Sequence, residues 1–235
     1  MRKDSLFTVK QNQQIAQSVY EMVLEGDTSA ISAPGQFVNV EIEGLFLRRP
    51  ISVCDLEGNL LTLIYKVVGV GTEKLAKAKP GDCFSLLTGL GNGYNTTKCG
   101  KAPLLIGGGV GVPPMYYLAK CLIREGKKPR VVLGFNAQAD CFYAKQFRAL
   151  GCETIVATAD GSVGVKGFVT DAIQQSSFDY DYFFACGPEP MLRAVADCCD
   201  CSGQLSFEER MACGFGACMG CSCKTKYGNK RICKD

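Results

Sequence analysis

The sequence predicts a multidomain α/β plus β fold: an N-terminal β-barrel domain over residues 1–98, a parallel α/β domain over residues 99–202 and a small C-terminal cysteine-rich domain over residues 203–235. Three observations predict it. Short runs of Val, Ile, Leu, Phe and Tyr bounded by turn residues fill the first part, the pattern of a small barrel. From "PLLIGG" onward apolar runs alternate with helical patterns, which implies right-handed crossovers and a parallel sheet. Toward the end Gly and Cys crowd together without periodicity, a composition that folds around something bound rather than on a core of its own.

In the first domain "GQFVNVEI" and "NLLTLIYKVV" are the clearest strands, and "EGN" between "PISVCDL" and "LLTLIYK" marks a hairpin. "GTEKLAKA" reads as a short helix capped by Thr72. "FLRRPISV" sets Arg48, Arg49 and Ser52 at the head of a strand. An arginine there can hold a phosphate bidentately, and a serine hydroxyl can hydrogen-bond a ring system. Solvated arginines at a strand edge are the plainer alternative. Gly71 and Thr72 at the helix start form a second candidate phosphate site.

In the second domain "PPMYYLAKCLIREG" spaces Met115, Leu118, Ala119 and Leu122 on one helical face, with prolines at its start and Gly126 at its end. Further strands are read at "RVVLGFN", "TIVATAD" and "YDYFFACG", and helices at "ADCFYAKQFRAL", "GFVTDAIQQ" and "EPMLRAVADCC". "LLIGGGVGVPPM" puts Gly107, Gly108, Gly109 and Gly111 between strand and helix, where backbone can approach a pyrophosphate. Val112 occupies the last glycine position of G-x-G-x-x-G, so a plain tight turn stays open. A second turn, "ACGPEPM", carries Cys186, Gly187 and Pro188. Both turns end predicted parallel strands, where ligands sit in open α/β sheets. "GFNAQADCF", after the next strand, offers no Arg or Lys to a 2′-phosphate, which favours NAD over NADP.

Composition excludes several classes. The net charge of +3 over 235 residues is too small and scattered for a nucleic-acid or anionic-membrane surface. "PLLIGGGVGVPPMYYLAKCLI" is broken by Gly, Pro and Lys120, so no membrane span is expected. "MRKDSLFTVK" lacks a signal-peptide core, and a cytoplasmic location is expected. Fifteen cysteines without an export signal argue against a disulfide framework. Cys121 and Cys152 read as small hydrophobes. Cys198, Cys199 and Cys201 have no recognised ligand spacing and read as structural. With no histidine in the chain, chemistry must rest on cofactors, thiolates or carboxylates.

Cys213, Cys218 and Cys221 have the spacing C-x4-C-x2-C, and Cys233 follows. This matches plant-type [2Fe–2S] ligation. Gly214, Gly216 and Gly220 permit the sharp turns that wrapping a cluster needs. A zinc site drawing on Cys218, Cys221 and Cys223 is the alternative, although a second cysteine knuckle is missing.

These pieces, in this order, resemble the ferredoxin-reductase-like flavoproteins. Arg49, Pro50, Ile51 and Ser52 resemble the Arg-x-Tyr-Ser/Thr flavin motif, with Ile51 in place of the aromatic residue. Within that group "RRPISV", "YKVVGVGT", "DGSVGVKGFVTD", "CGPEPML", "EERMACGFGACMGCSCK" and "RICKD" resemble the electron transfer subunits of dihydroorotate dehydrogenase B. The family pattern runs a few residues beyond Asp235. The resemblance implies that Arg49–Ser52, Ile64, Tyr65, Lys66, Gly71 and Thr72 bind FAD, making the first domain an FAD-binding β-barrel. It implies that Gly107–Gly109, Gly111, Gly187 and Pro188 bind NAD, with Cys186 near the nicotinamide, and that Cys213, Cys218, Cys221 and Cys233 hold a [2Fe–2S] cluster. It further implies an FMN-containing catalytic partner, commonly in a heterotetramer of two of each, and the joint oxidation of (S)-dihydroorotate to orotate by NAD⁺. Electrons would pass from the partner's FMN through the cluster and FAD, since NAD accepts only a pair and the cluster carries one at a time. The rival expectations are the flavin and iron–sulfur subunit of another NAD(P)H oxidoreductase complex (ferredoxin, sulfide or hydrogenase type) and a regulatory module without turnover.

Overall fold

The computed structural model describes residues 2–226 and 228–235. The first strands are β1 (Lys3–Ala16), β2 (Val19–Glu25), β3 (Phe37–Val40), β4 (Arg49–Glu57) and β5 (Leu60–Lys66); helix α1 (Val70–Ala76) and strand β6 (Cys83–Leu90) follow. They close an antiparallel barrel in the order β1-β2-β5-β4-β3-β6. Alternation along the strands sends Phe7, Val9, Met22, Leu24, Val38, Val53, Leu61, Leu63 and Leu86 inside, all essentially solvent-free. Burying each such side chain stabilises the barrel by about 1.5–3 kcal/mol. The expected hairpin is present: β4 and β5 join through Gly58 and Asn59, with Gly58 at φ 60°. The cap of α1 differs from expectation. Gly69 is the N-cap and Thr72 is the third helical residue. Its hydroxyl reaches back to accept from the Val68 and Gly69 N–H groups at 2.9 and 3.3 Å.

The α/β part comprises β7 (Pro103–Gly108), α2 (Val112–Arg124), β8 (Arg130–Phe135), α3 (Ala144–Ala149), β9 (Glu153–Thr158), β10 (Val165–Lys166), α4 (Val169–Gln175), β11 (Tyr182–Cys186), α5 (Glu189–Cys198) and β12 (Gly203–Ser206). The sheet is parallel throughout, in the order β10-β9-β8-β7-β11-β12. Every residue of β7 is buried, as a central strand covered on both faces requires. Leu104 and Ile106 meet α4 and α5 through Val169, Ala172, Leu192 and Val195. Helix α2 buries Met115, Leu118, Ala119 and Leu122 completely and ends at Arg124, with Gly126 at φ 76° just beyond its cap. The helix expected over "ADCFYAKQFRAL" shrinks to α3, because Tyr143 takes a left-handed φ of 65° at its start. Ring packing decides this: Phe142 sits 5.4 Å from Phe135 and Tyr143 sits 4.9 Å from Tyr116, centroid to centroid. Residues 203–206, read from sequence as part of the cysteine-rich segment, pair instead with β11 as the sheet edge.

The remaining chain carries the hairpin β13 (Ser222–Thr225) and β14 (Gly228–Arg231). It packs on the barrel rather than standing alone: Cys221, Cys233, Met211, Phe215 and Ile232 cluster with Phe37, Leu87 and Leu90. Two compact units result, Met1–Gly93 with Glu208–Asp235, and Tyr94–Phe207. No helix among the described residues is long and apolar enough to cross a membrane.

Leu118 is fully buried between α2 and the sheet. Leu118→Ala is expected to destabilise the α/β unit by about 2–5 kcal/mol through transfer and cavity costs. Urea unfolding followed by circular dichroism measures it.

Candidate functional site

One ladder of the closed barrel is incomplete and leaves a seam. The β4–β5 ladder runs from Glu57↔Leu60 to Val53↔Leu63 and stops. Beyond it Arg49–Ser52 pair only with β3, and Ile64–Lys66 only with β2. Backbone groups of both stretches therefore lack each other as partners, which leaves a slot for a ligand edge. The same residues were singled out from sequence, and the structure sets them on the two lips of this seam. Ile51, Ile64 and Tyr65 are buried, so on these lips their side chains are packing groups. Tyr65 donates to Asn12 Oδ1 at 2.9 Å and stacks with Tyr20; burial raises its phenol. Lys66 and Pro50 are exposed, and Ser52 is half-buried.

The two arginines separate. Arg48 is held by Asp4 at 2.9 Å, Glu41 at 2.7 Å and Ser85 at 3.2 Å. Arg49 has no carboxylate partner among the described residues; it donates to the Leu47 carbonyl and lies over Gly71. A Cβ at Gly71 would stand 2.4 Å from Arg49 Nε. Glycine there makes room for the guanidinium, which stays available to an anion.

In the α/β unit the two turns meet. Strands β7 and β11 pair Gly107 with Cys186. They are neighbours although three strands separate them in the chain, so the turns stand at the carboxyl end of a topological switch point. The approach is close: a Cβ at Gly111 would lie 2.2 Å from the Cys186 carbonyl oxygen, and one at Gly108 would lie 2.4 Å from Met191 Sδ. Gly109 faces open space at φ 52°. Pro188 is the N-cap of α5. Cys186 itself is buried beside Tyr94. The Tyr94 hydroxyl donates to the Ala185 carbonyl at 3.1 Å, and burial raises that phenol well above its ordinary value.

The four spaced cysteines form two pairs. Cys218 hydrogen-bonds the Cys213 sulfur through its side chain, with its N–H 3.4 Å from that sulfur. Cys221 and Cys233 sulfurs are 3.2 Å apart in a buried contact. Among the described residues no three Cys, Asp or Glu converge as one ion would require. Pairs suit a two-iron cluster, in which each iron takes two protein ligands, better than a single tetrahedral zinc. Burial works to raise the Cys213 thiol, but N–H donors from Phe215, Cys218 and Ala217 outweigh it and bring the group down to about 6. Burial, then the neighbouring Cys221, push Cys233 up to about 11. Gly214 and Gly216 take positive φ as expected, whereas at the third turn Met219, not Gly220, does so with φ 62°. Cys223 lies outside the pairs, opposite Lys230 in the hairpin.

Sequence reading missed the supports of this loop. Asn39 donates to the Cys213 carbonyl at 3.4 Å, and its Oδ1 is buried without a partner among the described residues. Arg231 donates to the Gly216 carbonyl at 2.7 Å and is clamped by Asp235 at 2.8 Å. Arg2 lies 4.8 Å over the Phe215 ring. A polar Asn in the apolar run "FVNV" was the one available signal.

A family model described as the iron–sulfur cluster binding domain of dihydroorotate dehydrogenase B matches residues 208–235, and one described as an oxidoreductase NAD-binding domain matches residues 105–197. Curated relatives align over the full chain. The dihydroorotate dehydrogenase B (NAD⁺) electron transfer subunit of Geobacillus sp. (strain WCH70) is 42% identical, covering 100% of this chain and 96% of the relative. Those of Shouchella clausii and Fusobacterium nucleatum are each 43% identical, covering 100% and 97% of this chain and 95% and 93% of the relatives. Of solved structures, an NADH-dependent reduced ferredoxin–NADP oxidoreductase superposes with TM-score 0.87 at 28% identity, over 97% of this chain and 86% of that one. Phthalate dioxygenase reductase, at 18% identity and TM-score 0.69 over 88% and 70%, shares the fold.

The glycine turn yields a graded expectation. Gly109→Ala meets no atom but retains a positive φ, a strain of about 1 kcal/mol. Gly111→Ala must displace backbone and is expected to cost several-fold more, about 3 kcal/mol. Calorimetric Tm values of the two variants should fall in that order.

Proposed function

Because this chain belongs to the electron transfer subunits of dihydroorotate dehydrogenase B, we propose that it links a catalytic partner to NAD⁺ in the reaction (S)-dihydroorotate + NAD⁺ → orotate + NADH + H⁺. The observation that carries the proposal is the paired arrangement of Cys213 with Cys218 and Cys221 with Cys233, in one chain with a split barrel and a double glycine turn. The partner carries FMN, the complex holds two of each chain, and it works in the cytoplasm.

FAD, [2Fe–2S] and NAD, when bound, supply exchange between one-electron and two-electron carriers. The residues of this chain bind and orient them. Arg49 holds a flavin phosphate, and Gly71 leaves space for its guanidinium. Ser52 and the free backbone of Ile64–Lys66 meet the flavin along the barrel seam. Thr72 fixes the turn into α1 rather than meeting phosphate, since its hydroxyl is spent on backbone. Gly107–Gly109, Gly111, Gly187 and Pro188 present backbone to the pyrophosphate of NAD, with NAD preferred over NADP. Cys186, buried against Tyr94, closes the floor of the nicotinamide site. N–H groups around Cys213 stabilise thiolate charge. The chain has no histidine, and the base that takes the dihydroorotate proton belongs to the partner.

A second reading is favoured by the superposition on a ferredoxin–NADP oxidoreductase: the same cofactors serving a different partner. Assaying NADH formation from dihydroorotate and NAD⁺ with the partner isolated alongside this chain separates the two. Product that needs both chains is expected. NADH-dependent dye reduction without any dihydroorotate turnover would reject the pyrimidine role. Cys221→Ser is expected to remove cluster absorbance and cut dihydroorotate-linked NADH formation at least 100-fold, while NADH still bleaches the flavin. Arg49→Ala, losing a charge-assisted phosphate contact of about 1.5–3 kcal/mol, should weaken FAD retention at least tenfold in equilibrium dialysis.

A further inference from the structure

A second thiol site lies far along the fold from the nucleotide turns. Cys99 precedes β7 and Lys127 precedes β8, so both stand at the amino ends of adjacent parallel strands, opposite the end of β7 that carries the glycine turn. Lys127 Nζ donates to Cys99 Sγ at 3.4 Å. Cys99 is 8% exposed, and the Lys127 side chain 15%. The pair is enclosed by polar groups. Cys99 donates to the Thr96 carbonyl at 3.2 Å, and Lys127 donates to the same carbonyl. Glu125 lies 3.0 Å from the Lys127 ammonium, and the Thr96 hydroxyl holds that carboxylate at 2.7 Å. A lysine and a cysteine thus face each other at contact distance, with a carboxylate holding the lysine in place.

We propose that Cys99 and Lys127 are an oxidant-sensitive pair that hydrogen peroxide joins covalently through one oxygen atom, as an S–O–N link. Peroxide first converts the Cys99 thiol to a sulfenic acid, with release of water. The Lys127 ammonium releases a proton to solvent, and the freed amine is joined to the sulfenic oxygen as a second peroxide is reduced. In sum one thiol, one amine and two hydrogen peroxide give the link and three waters. The S–H bond and one N–H bond break, and S–O and O–N bonds form. Sulfur and nitrogen each lose two electrons, and the four electrons reduce the two peroxides. Burial raises the Cys99 thiol while Lys127 works against it, which sets a need for peroxide in excess at neutral pH. The link would tether the segment ahead of β7 to the turn after α2, and a dithiol reductant would reopen it.

The test is peptide mass spectrometry of the full-length protein, treated with hydrogen peroxide, alkylated and digested with trypsin. The expected product is a peptide pair joined at Cys99 and Lys127. It gains one oxygen and loses two hydrogens, about 14 Da over the sum of the reduced peptides. Cleavage after Lys127 should be blocked, and dithiothreitol should restore both free peptides. In Lys127→Arg the joined pair should vanish and Cys99 should proceed to sulfinic acid. The proposal is overturned if treated wild-type protein keeps an alkylatable Cys99. It is equally overturned if wild-type Cys99 reaches sulfinic acid with Lys127 still cleaved, or if the joined peptides lack the added oxygen. The wild-type digest decides alone, whatever the fold of the variant.

Discussion

Strand β3 is the member on which the barrel unit depends. Its four residues hydrogen-bond Arg49–Ser52 on one side, pairing Phe37 with Ser52 and Asn39 with Pro50. The alternation of a strand then divides its side chains. Val38 and Val40 enter the barrel core, while Phe37 and Asn39 meet the cysteine segment. One short element thus supports the lip of the barrel seam and the floor of the cysteine loop. A loop of glycines and thiols buries too little apolar surface to fold alone. Phe37 and Leu90 supply what it lacks, and Asn39 pins its first turn.

In the α/β unit the corresponding constraint is the approach of two backbones. The parallel pairing of β7 with β11 carries Gly111 against the Cys186 carbonyl. No side chain fits between them. That contact places both glycine turns at one switch point of the sheet. Cys99 and Lys127 lie at the opposite, amino end of β7 and β8 in the same sheet.

The sequence by itself determined the parallel sheet, the barrel and most of their elements, and singled out Cys213, Cys218, Cys221 and Cys233, because each rests on local pattern: alternation, helical spacing, turn residues and ligand spacing. The cysteine spacing was the most legible of these, since the ligand geometry of a cluster constrains a single short segment. Only the tertiary structure decided that Arg49, and not Arg48, lacks a carboxylate partner among the described residues, because Asp4, Glu41 and Ser85 reach Arg48 from three other strands and loops. It alone decided that α3 is short, since ring packing around Phe142 and Tyr143 overrode helix propensity. It assigned Gly203–Ser206 to the sheet edge, where backbone pairing rather than composition chooses the partner. It also decided how the four thiols pair, and that Cys99 faces Lys127. Such contacts join residues far apart in the chain, and no local pattern records them.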